Sequence, residues 1–268
     1  MPSYPVLEVD GDPEELEIAL SFLQDWGCLG AEEHPARLRA FFPEDADLAA
    51  VARDLRNRIP SIVLREGEPQ RVEDWLAAWK KSFTGFALGE SCFVLPTWLP
   101  RPSIERTILR IDPEQAFGTG THDTTRLAAT LAERHVRAGD RVIDLGAGTG
   151  ILAMVAALRG ATEVIAIEPD EDAARCAREN VARNELAGRI RVETAGYEKY
   201  DTLEADVLVA NITRPILEVA VLRMRAPRLV LSGLLADEVD EFSLGLPTRL
   251  RVQETWTAGD WAALVIAT

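Results

Sequence analysis

A glycine turn between two apolar segments constrains the fold of this chain more than any other feature. Residues 141–145, RVIDL, predict a short buried strand, and from residue 151 apolar side chains recur at the spacing of a helix. Between the two lie Gly146, Gly148 and Gly150. Glycine permits positive φ and a close approach of backbone to ligand, and the helix start directs free N–H groups there. The pattern predicts an α/β fold with a site for a nucleotide-like cofactor.

Two carboxylates beside this turn bear on the choice of cofactor. Glu168 ends the next apolar run, about twenty residues past the glycines, where such folds bond ribose hydroxyls; the alternative is a solvated carboxylate at a strand end. Asp144 lies inside the first strand, where its charge opposes a pyrophosphate and favours the cationic sulfonium and amino group of S-adenosylmethionine. It can also bond backbone N–H groups of the turn, and the two roles are compatible. Asp144 therefore favours S-adenosylmethionine over a nicotinamide dinucleotide.

A second glycine-bearing segment, AFGTGTHDTT at residues 116–125, precedes the turn. Its small residues predict a lid that folds over the cofactor and excludes water. The residues that we assign to the lid or the substrate mouth are Phe117, Thr119 and His122, and we expect Gly120 to contact the cofactor. We expect Asp123 or Thr124 to cap the helix that follows. His122 is a candidate general base because imidazole titrates near neutrality, and a hydrogen bond to the loop backbone is the equal alternative.

Asn211 is the residue that we expect to act in catalysis. It follows the apolar strand predicted over residues 207–210, at the carboxyl end where open α/β sheets bind ligands. Its amide oxygen can accept a hydrogen bond from an attacking amine and so orient the lone pair; the alternative is a polar cap of the strand end. The sequence here is NITRP, unlike the NPPY of many enzymes that methylate exocyclic amines of bases, which disfavours a nucleic acid substrate.

Six segments carry a resemblance to a known family. They are EDWLAAWKK at 73–81, VLPTW at 94–98, AFGTGTHDTT at 116–125, DLGAGTGILAM at 144–154, VANI at 209–212 and LSGLLADE at 231–238. In this order they resemble the bacterial ribosomal protein L11 methyltransferases, the PrmA family. The resemblance implies S-adenosylmethionine as cofactor, contacted by Thr125, and methylation of amino groups, on lysine side chains or the N-terminus, of a basic protein at the base of the ribosomal stalk.

Three sites depart from the family pattern. Glu114 stands where the family often has glycine, which is a mild change. Glu168 stands where the family usually has aspartate, which is a mild change. Residues 213–215, Thr-Arg-Pro, replace a common Leu-Ala, and the bulky cation of Arg214 at the mouth would alter which amine is accepted. The alternatives are therefore a methyltransferase of another protein or a small amine, and a cofactor-binding module without turnover. A nicotinamide oxidoreductase ranks last.

Composition limits the class of protein and its partners. The 268 residues, of which 47% are hydrophobic, suffice for an α/β domain and a smaller one. No apolar run approaches the roughly 20 residues that span a bilayer, and the start MPSYPVLEVDGD lacks a signal peptide pattern, so we expect a cytoplasmic protein with no membrane partner. The net charge of −15 disfavours direct nucleic acid binding and favours a basic partner. Three scattered cysteines predict neither disulfides nor a metal site.

The periodicity of apolar residues and the turn residues between segments predict two domains joined by a helix. Strands at 6–9, 29–33, 38–42 and 62–65 and helices at 13–24 and 45–58 give a small ferredoxin-like α+β domain over residues 1–66, which we assign to substrate recognition. A linker helix over 67–90 carries Trp75, Leu76 and Trp79 on one face. This face packs either permanently on the catalytic domain or alternately on each of the two domains. Residues 91–268 predict a seven-stranded, Rossmann-like class I methyltransferase domain. We expect a monomer.

Overall fold

The structure is a computed structural model that describes residues 3–71, 84–112 and 120–268. The chain forms two units, Met1–Phe83 and Thr84–Thr268. The predicted linker face of Trp75, Leu76 and Trp79 lies outside the described residues, as do the lid residues Phe117 and Thr119. Within the described ranges, no helix is both long and apolar enough to span a membrane.

The first unit has the β-α-β-β-α-β order of the predicted ferredoxin-like arrangement. Its elements are β1 Ser3–Asp10, α1 Pro13–Asp25, β2 Gly30–His34, β3 Arg37–Phe41, α2 Leu48–Arg58 and β4 Val63–Arg71. The antiparallel sheet has the order β2-β3-β1-β4. Leu7, Val9 and Leu38 of the sheet are buried against Leu23 and Leu55 of the helices. Residues 67–71, which the sequence assigned to the linker, belong to β4, whose pairing with β1 extends to Ser3 and Arg71.

The second unit begins with a three-stranded sheet that the sequence did not predict. Its strands are β5 Phe86–Leu88, β6 Cys92–Pro96 and β7 Thr107–Ile111. They pair in the order β5-β6-β7, antiparallel and then parallel. The buried carboxylate of Glu133 ties the β5–β6 turn to a later helix, since it accepts the Ser91 N–H at 3.2 Å and the Ser91 hydroxyl at 2.6 Å. Residues 86–88, placed in the linker by sequence, therefore belong to a strand.

The rest of the second unit alternates strands and helices. The elements are α3 Asp123–His135, β8 Arg141–Leu145, α4 Ile151–Leu158, β9 Glu163–Glu168, α5 Glu171–Arg183, β10 Ile190–Thr194, β11 Leu203–Glu204, β12 Val207–Asn211, α6 Arg214–Ala220, β13 Met224–Arg225, β14 Arg228–Leu235, α7 Val239–Leu244, β15 Arg251–Ala258 and β16 Trp261–Ala267. β11 pairs with β13 in a separate two-stranded sheet. The other seven strands form one sheet in the order β10-β9-β8-β12-β14-β16-β15.

This seven-stranded sheet is the class I methyltransferase sheet that the sequence predicted. The strands from β10 to β14 in the sheet order are parallel, and β16 runs antiparallel to β14 and to β15. Every residue of β12 is buried, as expected for a central strand with helices on both faces. β8 and β12 are neighbours in the sheet, although β9 and β10 lie between them in the sequence. Ligands of open α/β sheets bind at such a switch point, outside the carboxyl ends of the strands.

Candidate active site

A cavity of about 450 Å³ opens at the carboxyl ends of the central strands, within the size range of small-molecule sites. It is lined by His122, Thr124, Gly146, Gly148, Glu168, Pro169, Asn211, Ile212, Thr213, Ile216, Gly233 and Trp261. Five of the predicted site residues are therefore brought together: His122, Gly146, Gly148, Glu168 and Asn211. The predicted Gly120, Thr125, Asp144 and Gly150 do not line this cavity.

The glycine turn adopts the left-handed backbone that the sequence predicted. Gly146, Gly148 and Gly150 have φ values of 73°, 53° and 79°. A Cβ on Gly146 would collide with Cγ2 of Ile212, which follows β12. The glycines therefore allow the turn to pass close to the next strand end. Gly150 is the N-cap of α4 and supplies no side-chain hydrogen bond to it.

The carboxylate of Glu168 is held at the wall of the cavity by two main-chain N–H groups. Its Oε2 accepts the Gly148 N–H at 2.8 Å, and its Oε1 accepts the Asp170 N–H at 3.1 Å. The residue is 8% exposed, so the alternative of a solvated strand-end carboxylate is wrong. Each carboxylate oxygen has two lone pairs, and both oxygens can still accept a ligand hydroxyl.

Asp144 lies beneath the turn, fully buried. Its Oδ2 accepts the N–H of Ala153, in the first turn of α4, at 2.9 Å, so it supplies the cap that Gly150 lacks. Among the described residues, no donor reaches Oδ1. Burial raises the pKa of Asp144 to about 7; the Ala153 N–H opposes this shift and the charge of Glu168 adds to it. Asp144 thus bonds the helix start, and its attraction for a cationic cofactor stays a prediction.

Asn211 ends β12 with its side chain at the cavity wall. Its Nδ2 donates to Oγ1 of the buried Thr125 at 3.2 Å, and the described residues offer no donor to its Oδ1. Next to it, the Ser232 hydroxyl donates to the Thr124 carbonyl at 3.1 Å. The start of α3 is therefore tied to the ends of both β12 and β14. Thr125 contacts the site through Asn211.

His122 has a structural role at the start of α3. It is the N-cap, because Asp123 is already the first helical residue; the predicted caps Asp123 and Thr124 are therefore wrong. Its Nδ1 accepts the Thr124 N–H at 3.4 Å and lies 2.8 Å from the Thr124 hydroxyl. With Nδ1 as acceptor, the neutral ring carries its proton on Nε2, and this arrangement favours the structural alternative over a general base. The ring packs edge-on against Trp261, with centroids 5.0 Å apart.

Arg214 does not place an unpaired cation at the mouth. Its guanidinium lies 2.7 Å from Glu218, 2.9 Å from Glu241 and 3.6 Å from Glu238. These three carboxylates neutralise it, whereas its neighbours Thr213 and Ile216 line the cavity. This pairing disfavours a direct role of the cation in selecting the amine, and the effect of residues 213–215 on the substrate stays a prediction.

Two features of the cavity wall were missed by sequence reasoning. Trp261 is the first residue of β16 and lies far along the chain from the glycine turn. A single aromatic residue at the start of a strand does not indicate a binding site. Gly233 lies in the LSGLL segment, at a bulge in β14 with φ of 94°. A Cβ there would collide with the Ile212 carbonyl oxygen, so this wall is main chain. In the described part of the chain, no three His, Cys, Asp or Glu side chains converge to hold a metal.

Comparison with known proteins agrees with this geometry. The sequence model of the family described as "Ribosomal protein L11 methyltransferase (PrmA)" matches residues 11–268. The chain is 33% identical over 248 residues to the ribosomal protein L11 methyltransferase of Pelobacter propionicus, covering 85% of this chain and 80% of that protein. It is 32% identical over 245 residues to that of Streptococcus thermophilus, covering 85% and 77%.

A solved structure gives the same result. The ribosomal protein L11 methylase of Lactobacillus delbrueckii subsp. bulgaricus superposes with a TM-score of 0.63 and 27% identity, covering 69% of this chain and 98% of that one. The predicted methyltransferase fold and the predicted cofactor, S-adenosylmethionine, are thereby confirmed. The chain belongs to the ribosomal protein L11 methyltransferase (PrmA) family.

Proposed function

We propose that this protein transfers methyl groups from S-adenosylmethionine to amino groups of ribosomal protein L11, on lysine side chains or the N-terminus. The observation that carries the proposal is the amide of Asn211. Its Nδ2 is held by Thr125, while Oδ1, with no donor among the described residues, belongs to a side chain at the cavity wall. An amide oxygen placed in this way accepts an N–H of an incoming amine and orients the lone pair.

The residues around the cavity fit the cofactor. S-adenosylmethionine, when bound, would supply a methyl group on a cationic sulfur; transfer of this methyl group to the amine nitrogen would break its bond to sulfur and release S-adenosylhomocysteine. Glu168 offers two backbone-anchored oxygens to the ribose hydroxyls, and Gly146 and Gly148 leave room for the chain to approach the ligand. The carboxylate of Asp144 lies buried behind the turn, and its Oδ1 has no donor among the residues that the structure describes; its negative charge favours a cation.

The other cavity residues prepare the amine. A free lysine amine has a pKa of about 10.4, so it must lose a proton before it can attack. Ile212, Ile216 and Trp261 give the mouth an apolar wall, which disfavours the ammonium form and lowers that pKa. The proton released before attack, and that of each ammonium product, passes to solvent. We assign no general base, because His122 caps α3.

The partners that we propose follow from charge. A chain with a net charge of −15 attracts a basic ribosomal protein and repels nucleic acid phosphates. We therefore propose L11 itself, and no directly bound nucleic acid or membrane, as the partner. We propose that the enzyme acts as a monomer in the cytoplasm, where such a substrate is made.

The test is incubation of the protein with methyl-labelled S-adenosylmethionine and ribosomal proteins from a bacterium that lacks this activity. We expect label in the L11 band, and a much slower appearance of label there when Asn211→Ala replaces the wild type. If S-adenosylhomocysteine binds but L11 stays unlabelled, the substrate is another protein or a small amine. Binding of a reduced nicotinamide in place of S-adenosylhomocysteine would contradict the cofactor as well.

A further inference from the structure

The outer side of α6 exposes apolar side chains beside the cavity. Ile216 is 41% exposed and Val219 is 45% exposed; they lie three residues apart and therefore on one side of the helix. Leu222 follows just after the helix and is 54% exposed. Ile216 also lines the cavity, so this apolar surface is continuous with the mouth. We call Ile216, Val219 and Leu222 the α6 surface.

Carboxylates lie at the end of α6 that is nearest the cavity. The ion pairs of Arg214 with Glu238 and Glu241 hold the start of α6 next to α7 and the turn before it. Around the start of α6 and the turn before α7 lie five carboxylates, Glu218, Asp237, Glu238, Asp240 and Glu241, and the guanidinium of Arg214. The guanidinium groups of Arg223, Arg225 and Arg249 lie at the other end of the helix, where they donate to main-chain carbonyls. Asp237 and Asp240 are exposed and form no ion pair with described residues. After Arg214 is neutralised, the rim of the mouth keeps a strong negative charge.

We propose that the α6 surface and its carboxylates are the docking site for the lysine-bearing segment of the protein substrate; this rests on the proposed function. A segment with both apolar and basic side chains buries the former on Val219 and Leu222 and pairs the latter with the carboxylates. Its target lysine then enters the cavity past Ile216. A small amine needs no apolar surface outside the mouth, and a nucleic acid is repelled by the carboxylates.

The apolar half of the proposal is tested by Val219→Ser/Leu222→Ser. Both side chains are about half exposed, so we expect the fold and the affinity for S-adenosylhomocysteine to be kept. We expect KM for L11 to rise about tenfold with kcat unchanged, because apolar burial on docking is lost. The matched control is Leu158→Ser, an exposed leucine at the end of α4 on the opposite edge of the sheet, which should leave KM unchanged.

The charged half is tested by Asp237→Asn/Asp240→Asn, which leaves the ion pairs of Arg214 intact. We expect KM for L11 to rise about threefold to tenfold at low salt and to depend less on salt than in the wild type. The control is Glu163→Gln/Glu185→Gln, which removes the same charge at the start of β9 and after α5, far from the mouth.

The outcomes separate the two proposals. A wild type that leaves L11 unlabelled overturns the proposed function and this docking site together. A wild type that labels L11, with both double variants at the wild-type KM, overturns the docking site alone. If Val219→Ser/Leu222→Ser also loses affinity for S-adenosylhomocysteine, its helix is disturbed, and Asp237→Asn/Asp240→Asn then decides: an unchanged KM and salt dependence overturns the docking site.

Discussion

Asp144 makes the stability of this protein depend on pH in a way that one substitution can isolate. The carboxyl is fully buried with a single hydrogen bond, and its pKa is raised to about 7. In the unfolded chain its pKa is the ordinary value of about 3.9. Between these two values the folded state holds a proton that the unfolded state has lost. Stability therefore falls as pH rises, and the loss is complete above the folded pKa.

The size of the effect follows from the two pKa values. When the folded and unfolded pKa values differ by one, the free energy of unfolding changes by about 1.4 kcal/mol, so the full cost of the ionised carboxylate is about 4 kcal/mol. Between pH 5 and pH 8, the titration of Asp144 lowers the free energy of unfolding by about 2.5 kcal/mol. In Asp144→Asn this titration is absent, while the amide oxygen can still accept the Ala153 N–H. Any loss of packing in the variant does not depend on pH.

The assay is urea unfolding of the cofactor-free protein at pH 5, 6, 7 and 8, wild type against Asp144→Asn. We expect the free energy of unfolding of the variant, relative to wild type, to rise by about 2.5 kcal/mol across this range. Asp201→Asn, which removes an exposed carboxylate, should track the wild type at every pH. Parallel curves for wild type and Asp144→Asn would refute the argument that this carboxylate is buried at a cost.

Three further substitutions test the cavity. Asn211→Ala should lower kcat about 100-fold, because the amine is no longer oriented, with S-adenosylhomocysteine affinity kept within about threefold by calorimetry; equal losses would contradict the role. Glu168→Gln should weaken that affinity by about 1.5–3 kcal/mol, since one backbone N–H loses its acceptor and the ribose loses the charge; unchanged affinity would exclude ribose binding. Gly146→Ala should weaken binding and lower the melting temperature because its Cβ meets Ile212, and Ile212→Ala should partly restore both; no rescue would place the strain elsewhere.

The sequence predicted those parts of the site whose position depends on a local pattern. The glycine turn, Glu168 and Asn211 each directly follow a strand of apolar residues, and parallel strands bring their carboxyl ends to one edge of a sheet. Their presence around one cavity therefore follows from the chain order. Their roles toward the cofactor and the amine stay predictions. One strand of the sheet, β10, was not located from the sequence. Its residues IRVET alternate between apolar and polar, but the strand has five residues and only the first is buried.

The remaining features depend on packing between distant segments. The charge of Arg214 was visible in the sequence, but its neutralisation needs Glu238 and Glu241, which only the packing of α6 against α7 brings near. Asp144 is similar, since its bond to Ala153 depends on where α4 begins over the turn. Strands of three to five residues, such as β5 and β6, carry too little periodicity to stand out from a loop.

The bulge at Gly233 limits how this active site can change during evolution. A side chain at Gly233 would overlap the carbonyl of Ile212. This part of the wall is therefore built from two main-chain segments. Single substitutions cannot widen or narrow a main-chain wall. A descendant of this enzyme that acquires a new acceptor must therefore do so at other positions of the cavity wall, where Thr213, Ile216 and Trp261 contribute replaceable side chains.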